Sequence, residues 1–339
     1  MPAPVSALTF PPFGGPFGVM RPSSDPCILC AQKLTEAQAA RLRSVAPGAR
    51  IIGEEDISSD PRLAGLFSIC YPRLPSGLWR SATGLRWLQT DIAGVDSLLR
   101  LAEARTHPAV ITNVHIHGNC VAEHLWGMTL MLTRNLHRAV GLQGRAVWDS
   151  APLSEGLSSL AGRTLCIAGL GAIGERCAVL GRAFGMRVIG IRRHPRPSAA
   201  ADEVVGPEAR REAFARARVI MLLLPDTPDA RPFVGREELD AMQGAFLLNA
   251  GRGASVDTDA LVAALRQGKV RGAGLDVTDP EPLPKGHPLW EMANVIITPH
   301  YAGVHPGYAE EAFDVFLANL GRWVRGQPLE NVVDKDAGY

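Results

Sequence analysis

Several things are scarce in this sequence, and each shortage excludes a class of protein. Cysteine accounts for only 6 of 339 residues, too few for a disulfide-stapled scaffold of this length. Charge of one sign is missing: 35 Lys+Arg stand against 34 Asp+Glu, a net of +1. No basic face for nucleic acid or anionic lipid is therefore expected. Long apolar runs are missing as well. The longest aliphatic stretch, Val219 to Leu224, is strand-sized, far below the roughly 18 apolar residues of a membrane span. Met1 to Pro26 lacks the basic n-region and apolar h-region of a secretory signal. Its seven prolines and the Phe13–Gly18 glycine cluster read as a flexible or surface-hugging extension over 1–26.

What is present describes a globular chain. Apolar residues are 46% and charged residues 20%, enough to build cores. At about 150 residues per domain the length suggests two domains. With 35 Gly and 26 Pro and no Gly-X-Y period, the chain must contain many loops and turns. Cys27 and Cys30 make one CxxC, but no second pair follows at zinc-site spacing. On a strand, residues three apart face opposite sides, so buried structural thiols are expected, with no metal. Such thiols suit a reducing cytoplasm.

In the first third, Cys27–Cys30, Arg50–Gly53 and Leu85–Gln89 read as strands. A helix capped by Thr35 runs to about Val45, so this part forms an α/β layer. From His115 to Val140 the spacing predicts one long helix. Val121, Leu125, Met128, Leu132 and Leu136 recur every three or four residues, and Leu130 and Met131 widen the stripe. A helix apolar on more than one face is buried between layers or between subunits. Between Arg163 and His300 strands and helices alternate. Strands are expected at Thr164–Leu170, Arg187–Ile191, Val219–Leu224, Ala245–Leu248, Gly272–Val277 and Val295–Thr298. Ile173, Cys177, Leu180 and Phe184 mark a face of the helix after the first of these. Ala260–Arg266 is another helix, closed by Gly268. Regular alternation means a parallel sheet with helices on both faces.

Gly169-Leu170-Gly171-Ala172-Ile173-Gly174 is a GxGxxG between a strand and a helix, the context that gives this motif meaning. The first glycine permits the tight turn, the second admits a pyrophosphate, and the third allows close helix–strand packing. Gly169, Gly171, Ala172, Ile173 and Gly174 are thus the expected phosphate cradle, at a helix start that favours anions. An acidic residue usually follows the next strand and binds the ribose of NAD. Here Arg192, Arg193 and His194 follow it. Two guanidinium groups suit the 2′-phosphate of NADP, so NADP is the expected cofactor, with NAD the alternative.

Parallel sheets bind ligands beyond the carboxyl ends of their strands. Three successive strands are followed by Arg252, Glu281 and His300. Beside a nicotinamide, these types suit reduction of a 2-oxo acid. His supplies or takes a proton near neutral pH. A carboxylate orients the ring and stabilises its charged form. A guanidinium binds the substrate carboxylate and can polarise the carbonyl. A methyltransferase using the glycine loop would leave these three residues unexplained.

The segments Ala93–Asp96, Leu222–Pro225, Asn249–Gly253, Gly274–Val277, Glu281–Pro284 and Thr298–His300 together resemble the D-isomer-specific 2-hydroxyacid dehydrogenase family. The likeness runs from about Cys27 to the C-terminus. The closing Asn331–Asp334 with Gly338 and Tyr339 resembles the hydroxypyruvate and glyoxylate reductase branch. The resemblance implies Arg252, Glu281 and His300 as the catalytic set, and Pro225 and Asp276 beside the cofactor, Asp276 on the nicotinamide carboxamide. It implies the substrate carboxylate against backbone N–H groups at Ala93 and Gly94 and against Arg252. It further implies two doubly wound parallel-sheet domains. A Rossmann cofactor domain (113–298) would be inserted into a flavodoxin-like substrate domain (27–112 and 299–339). A homodimer is implied, through the region around the long helix.

Three features depart from the family pattern. Arg192 replaces its common acidic residue. His115 and His117 crowd the expected cleft, and His305 stands where a small hydroxyl residue is frequent. A small 2-oxo acid resembling glyoxylate or hydroxypyruvate is the expected substrate. A nucleotide-sensing corepressor or scaffold on the same fold is the alternative, since fold does not fix function.

Overall fold

The computed structural model describes residues 25–338, so nearly all of the expected N-terminal extension lies outside the described residues. Two parallel sheets organise the rest. The first contains β1 (Cys27–Cys30), β2 (Arg50–Gly53), β3 (Ile69–Tyr71), β4 (Trp87–Gln89) and β5 (Val110–Thr112). Their spatial order is β2-β1-β3-β4-β5, the flavodoxin-like order. The second contains β6 (Thr164–Ala168), β7 (Arg187–Ile191), β8 (Glu203–Val205), β9 (Val219–Leu222), β10 (Ala245–Asn249), β11 (Val270–Leu275) and β12 (Val295–Ile297). Its order is β12-β11-β10-β9-β6-β7-β8, a Rossmann arrangement with one more strand. The order reverses between β6 and β9, the point at which sheets of this kind bind their ligands.

Strand burial explains why these runs read as continuously apolar. Every residue of β9 and β10 is buried, as a parallel strand covered on both faces requires. On β1 the pleat sends Leu29 into one core and Ile28 and Cys30 into the other. The six cysteines are free thiols, and burial pushes the Cys30 thiol up to about 12. The helix Glu36–Val45 starts as expected. The Thr35 hydroxyl accepts from Gln38 N, and the Gln38 side chain accepts from Thr35 N, a capping box.

The expected single helix over 115–140 is two helices, Gly118–Thr133 and Leu136–Gln143. Asn135 adopts a left-handed φ of 55° between them, which Asn tolerates better than most residues. Its side-chain amide donates to the carbonyls of Leu153 and Glu155, so the break is anchored. The first helix buries Val121, Leu125, Met128 and Leu132 against the helix Ala172–Ala183, β10 and β11. Beyond the break, Leu136 and Val140 are exposed.

The helix Tyr308–Val324 was not expected from sequence. It returns the chain to the first sheet, burying Phe313, Phe316, Leu320 and Trp323 beside Ile28, Ile69 and Trp87. The Tyr71 ring stacks on Phe316 at 4.5 Å. β3, β5 and β8 were also unexpected; each has three residues, too short for a periodic signal.

Candidate active site

The glycine loop is built as its spacing predicts. Gly169 ends β6 with a φ of +99°, and a Cβ there would lie 2.5 Å from the Leu223 carbonyl oxygen. A Cβ on Gly174 would lie 2.4 Å from the Gly169 oxygen, so this glycine seats the helix Ala172–Ala183 on the turn. Gly171 differs. It is the exposed N-cap of that helix, and a Cβ on it would meet nothing within 4 Å. Open backbone at a helix start, with Ala172 and Ile173 as the first helical residues, fits the pyrophosphate of a dinucleotide. Gly251 brings the turn after β10 against the end of β9, a Cβ there lying 2.7 Å from Leu224 N. Pro225 follows at that edge.

Arg192 and Arg193 follow β7 as expected, but both make protein contacts. The Arg192 guanidinium donates to the Leu170 carbonyl at 2.6 Å and pairs with Glu175, and its side chain is only 12% exposed. Arg193 pairs with Asp229 at 3.1 Å and is 40% exposed. Arg192 thus also ties the glycine loop to its own helix.

Glu281 and His300 are brought together. His300 Nδ1 lies 2.5 Å from Glu281 Oε1, and both side chains are partly exposed. The His300 backbone has a φ of 50°, a region that costs a non-glycine residue roughly 1–3 kcal/mol. Its N–H donates to the Asp276 carbonyl at 2.9 Å, so hydrogen bonding holds the strained turn.

Arg252 faces the other sheet. Asn249 shapes its turn, accepting from Gly251 N and donating to the Arg252 carbonyl. The guanidinium reaches Asp96 at 2.5 Å. It also lies against Gly94, where a Cβ would fall 1.8 Å from Arg252 Nη2. The Ala93 carbonyl is held by the Asn113 amide at 2.7 Å. Ala93, Gly94 and Arg252, the expected carboxylate site, therefore converge. Arg252 makes no hydrogen bond with Glu281 or His300.

Asp276 is 3% exposed. Its oxygens accept from the Thr298 hydroxyl, Tyr301 N and Ala302 N. A carboxylate has about four acceptor sites, so its own chain takes most of them. His124 Nε2 contacts the Thr298 hydroxyl at 3.0 Å and lies 3.7 Å from Asp276. Sequence motifs point neither to His124 nor to the ion network behind Asp96. Arg100 bridges Asp96 and Asp226, and Arg231 pairs with Asp226. Hydrogen bonds from both arginines hold the Asp226 carboxyl below its ordinary range. Asp96 stands in a quoted motif, but only tertiary contact reveals what it holds.

Among the described residues, no cluster of three or more His, Cys, Asp or Glu is arranged for a metal ion. No helix among them is long and apolar enough to cross a membrane.

Comparison with known proteins agrees with this fold. Residues 126–302 match the profile of the D-isomer specific 2-hydroxyacid dehydrogenase NAD-binding domain. The glyoxylate reductase of Aeropyrum pernix is 30% identical over 279 residues, 80% of this chain and 83% of that protein. The NADPH-dependent glyoxylate/hydroxypyruvate reductase of Sinorhizobium meliloti was solved with NADP and sulfate. It superposes with a TM-score of 0.78 at 25% identity, covering 93% of this chain and 100% of that one. A dehydrogenase-family protein from Aeromonas salmonicida is 34% identical, with a TM-score of 0.77 over 92% of this chain and 99% of that one. The likeness spans both sheets, and it makes this chain a member of the D-isomer specific 2-hydroxyacid dehydrogenase family, an enzyme using a nicotinamide cofactor.

Proposed function

We propose that this dehydrogenase reduces a small 2-oxo acid of the glyoxylate or hydroxypyruvate kind to the D-2-hydroxy acid, with NADPH as the preferred hydride donor. One observation carries the reading: His300 Nδ1 is held by Glu281 at 2.5 Å, which leaves Nε2 to face the reacting oxygen.

Each residue has a distinct task. The carboxylate of the substrate seats on Arg252, with the Ala93 and Gly94 backbone N–H groups beside it. Its carbonyl then lies in the field of the guanidinium. His300 Nε2 donates a proton to the carbonyl oxygen as charge develops there. Glu281 fixes the tautomer and stabilises the ring while it is charged. In the reverse direction neutral His300 takes the hydroxyl proton. The cofactor supplies the hydride when bound. Gly169, Gly171, Ala172, Ile173 and Gly174 would hold its pyrophosphate. Pro225 and Asp276 would flank the nicotinamide, Asp276 through its remaining acceptor site. Arg192 and Arg193 would take the 2′-phosphate, Arg192 exchanging a protein contact to do so.

The division into a cofactor domain at 113–298 and a substrate domain at 27–112 and 299–339 is part of this reading. The packing of Tyr308–Val324 on the first sheet supports it. A homodimer is proposed through the segment after Asn135, where Leu136, Val140, Val147 and Trp148 are exposed. The free thiols suit a cytoplasmic setting, and the balanced charge gives no reason for a nucleic-acid partner.

A matrix of 2-oxo acids against NADH and NADPH, scored by kcat/KM, tests the proposal. Turnover of glyoxylate or hydroxypyruvate with preference for NADPH is expected. Cofactor binding without turnover of any 2-oxo acid would favour a nucleotide-sensing role instead.

A further inference from the structure

Two ring nitrogens close to this site are buried and lack a hydrogen-bond partner, His117 Nδ1 and His305 Nε2. Buried polar atoms are rarely left so, and each such case calls for a cause. The two rings flank one residue. The Tyr308 ring centroid is 5.2 Å from that of His117 and 5.9 Å from that of His305. The Tyr308 hydroxyl is already committed, donating to the Asp91 carbonyl.

The cluster touches all three segments that the reaction uses. His117 lies on Gly303, three residues past His300, where a Cβ would fall 2.6 Å from His117 Cδ2. Only a glycine leaves that space to the imidazole. Tyr308 holds Asp91, at the head of the Ala93–Gly94 loop. His117 also caps the helix Gly118–Thr133, whose first residue faces the glycine loop: a Cβ on Gly118 would lie 4.0 Å from the Ala172 oxygen.

We propose that His117 and His305 form a subsite that hydrogen-bonds a hydroxyl on the carbon next to the reacting carbonyl, so that the enzyme selects 3-hydroxy-2-oxo acids over 2-oxo acids with a methyl group there. The inference rests on the placement of His300 and Arg252 proposed above. A neutral imidazole offers one donor and one acceptor nitrogen, the complement of a hydroxyl, which both donates and accepts. Burial, with His305 and His115 nearby, holds His117 below its ordinary value and so in the neutral form. A second carboxylate on the substrate would be a poor occupant. It would need charged rings, and Glu311 lies 3.8 Å from His305 Nδ1, with Asp91 beside Tyr308.

Hydroxypyruvate and pyruvate differ here by one hydroxyl, so the ratio of their kcat/KM values with NADPH reads the subsite. The full-length wild type should favour hydroxypyruvate by about 30-fold or more, since a site built around a hydroxyl rejects the analogue lacking it. His117→Leu and His305→Leu should each bring the ratio to within about threefold of one. The loss should fall more on hydroxypyruvate than on pyruvate. His117→Asn and His305→Gln keep a hydrogen-bonding group and should restore part of the preference. These two variants carry the test if a Leu variant fails to bind NADPH. A wild-type ratio near one, or ratios unchanged by both Leu variants, would overturn the subsite alone. A cofactor-binding wild type that turns over no 2-oxo acid would overturn the parent reading and the subsite with it.

Discussion

Arg252 and Asp96 meet across the two sheets. One carboxylate oxygen, Asp96 Oδ1, accepts from both Arg252 Nε, at 3.1 Å, and Arg252 Nη2, at 2.5 Å. Arg252 Nη1 donates to the Gly251 carbonyl at 2.8 Å. A guanidinium has five N–H groups, so one remains on each η nitrogen. Those two form the prong that grips a carboxylate bidentately. Asp96 therefore orients Arg252 rather than consuming it. Arg100, Asp226 and Arg231 extend the ion network beyond it.

Asp96→Asn keeps the shape of this contact and removes its charge. The KM for the 2-oxo acid should rise about tenfold, equivalent to about 1.4 kcal/mol. The KM for NADPH should stay within about twofold, because Asp96 is remote from the glycine loop in function. Steady-state kinetics with each substrate varied in turn separates the two. An equal rise in both would mean that Asp96 supports the fold and not the guanidinium.

His300→Ala removes the proposed proton donor. The rate should fall by roughly 10² to 10⁴, the range for a positioned acid. NADPH binding, followed by fluorescence titration, should be unchanged. Glu281→Gln leaves a neutral partner 2.5 Å from Nδ1, so the charged ring loses its counter-ion. It should lower the rate by less than His300→Ala does. An unchanged rate in His300→Ala would remove His300 from the mechanism.

Much of this site was legible because its motifs sit at strand ends. β6, β7, β9, β10, β11 and β12 lie in apolar stretches of the sequence, and the residues after them fall at one edge whatever the loops do. Arg252, Glu281 and His300 could be located that way. Asp96 and His124 could not, because their roles arise between segments more than 150 residues apart. The long helix was overextended because the apolar spacing continues through Asn135, where only the backbone turn shows the break. The helix Tyr308–Val324 buries Phe313, Phe316, Leu320 and Trp323 at a helical period, but no motif marks where it starts. The place of Arg192 after β7 suits a cofactor ligand, while its pairing with Glu175 shows only in the folded chain.

That pairing shapes the cofactor prediction. Arg193→Ala should raise the KM for NADPH about tenfold or more while leaving NADH little affected, because only NADPH carries the 2′-phosphate. Arg192→Asp should also raise the KM for NADPH and, to a smaller extent, that for NADH, since Arg192 braces the Leu170 carbonyl of the glycine loop. Equal effects of Arg193→Ala on both cofactors would show that it does not read the phosphate.

His117 should also mark the pH dependence of stability. Burial holds its pKa below the ordinary 6.5. The unfolded chain therefore binds this proton first as pH falls, and the unfolded state gains. The His117 contribution is full above about 6.5 and declines between that pH and the lower folded value. Between pH 8 and pH 5.5 the wild-type melting temperature should fall further than that of His117→Gln. Parallel curves would place the ring in a solvated setting.

Gly171 and Gly174 separate binding from folding. Gly171 has a φ of -90° and open space where a Cβ would sit, so valine fits the free protein without strain. Its side chain would occupy the approach to the pyrophosphate. Gly171→Val should keep its melting temperature within about 2 °C, under about 1 kcal/mol for a chain of this size. It should weaken NADPH binding by about 100-fold or more. Gly174→Ala meets the Gly169 carbonyl at 2.4 Å, a backbone atom that cannot swing aside. It should destabilise the protein by about 1–3 kcal/mol and lower the melting temperature measurably. Calorimetry on both variants with and without NADPH distinguishes the cases. If Gly171→Val bound NADPH as well as the wild type, the pyrophosphate would have to lie elsewhere.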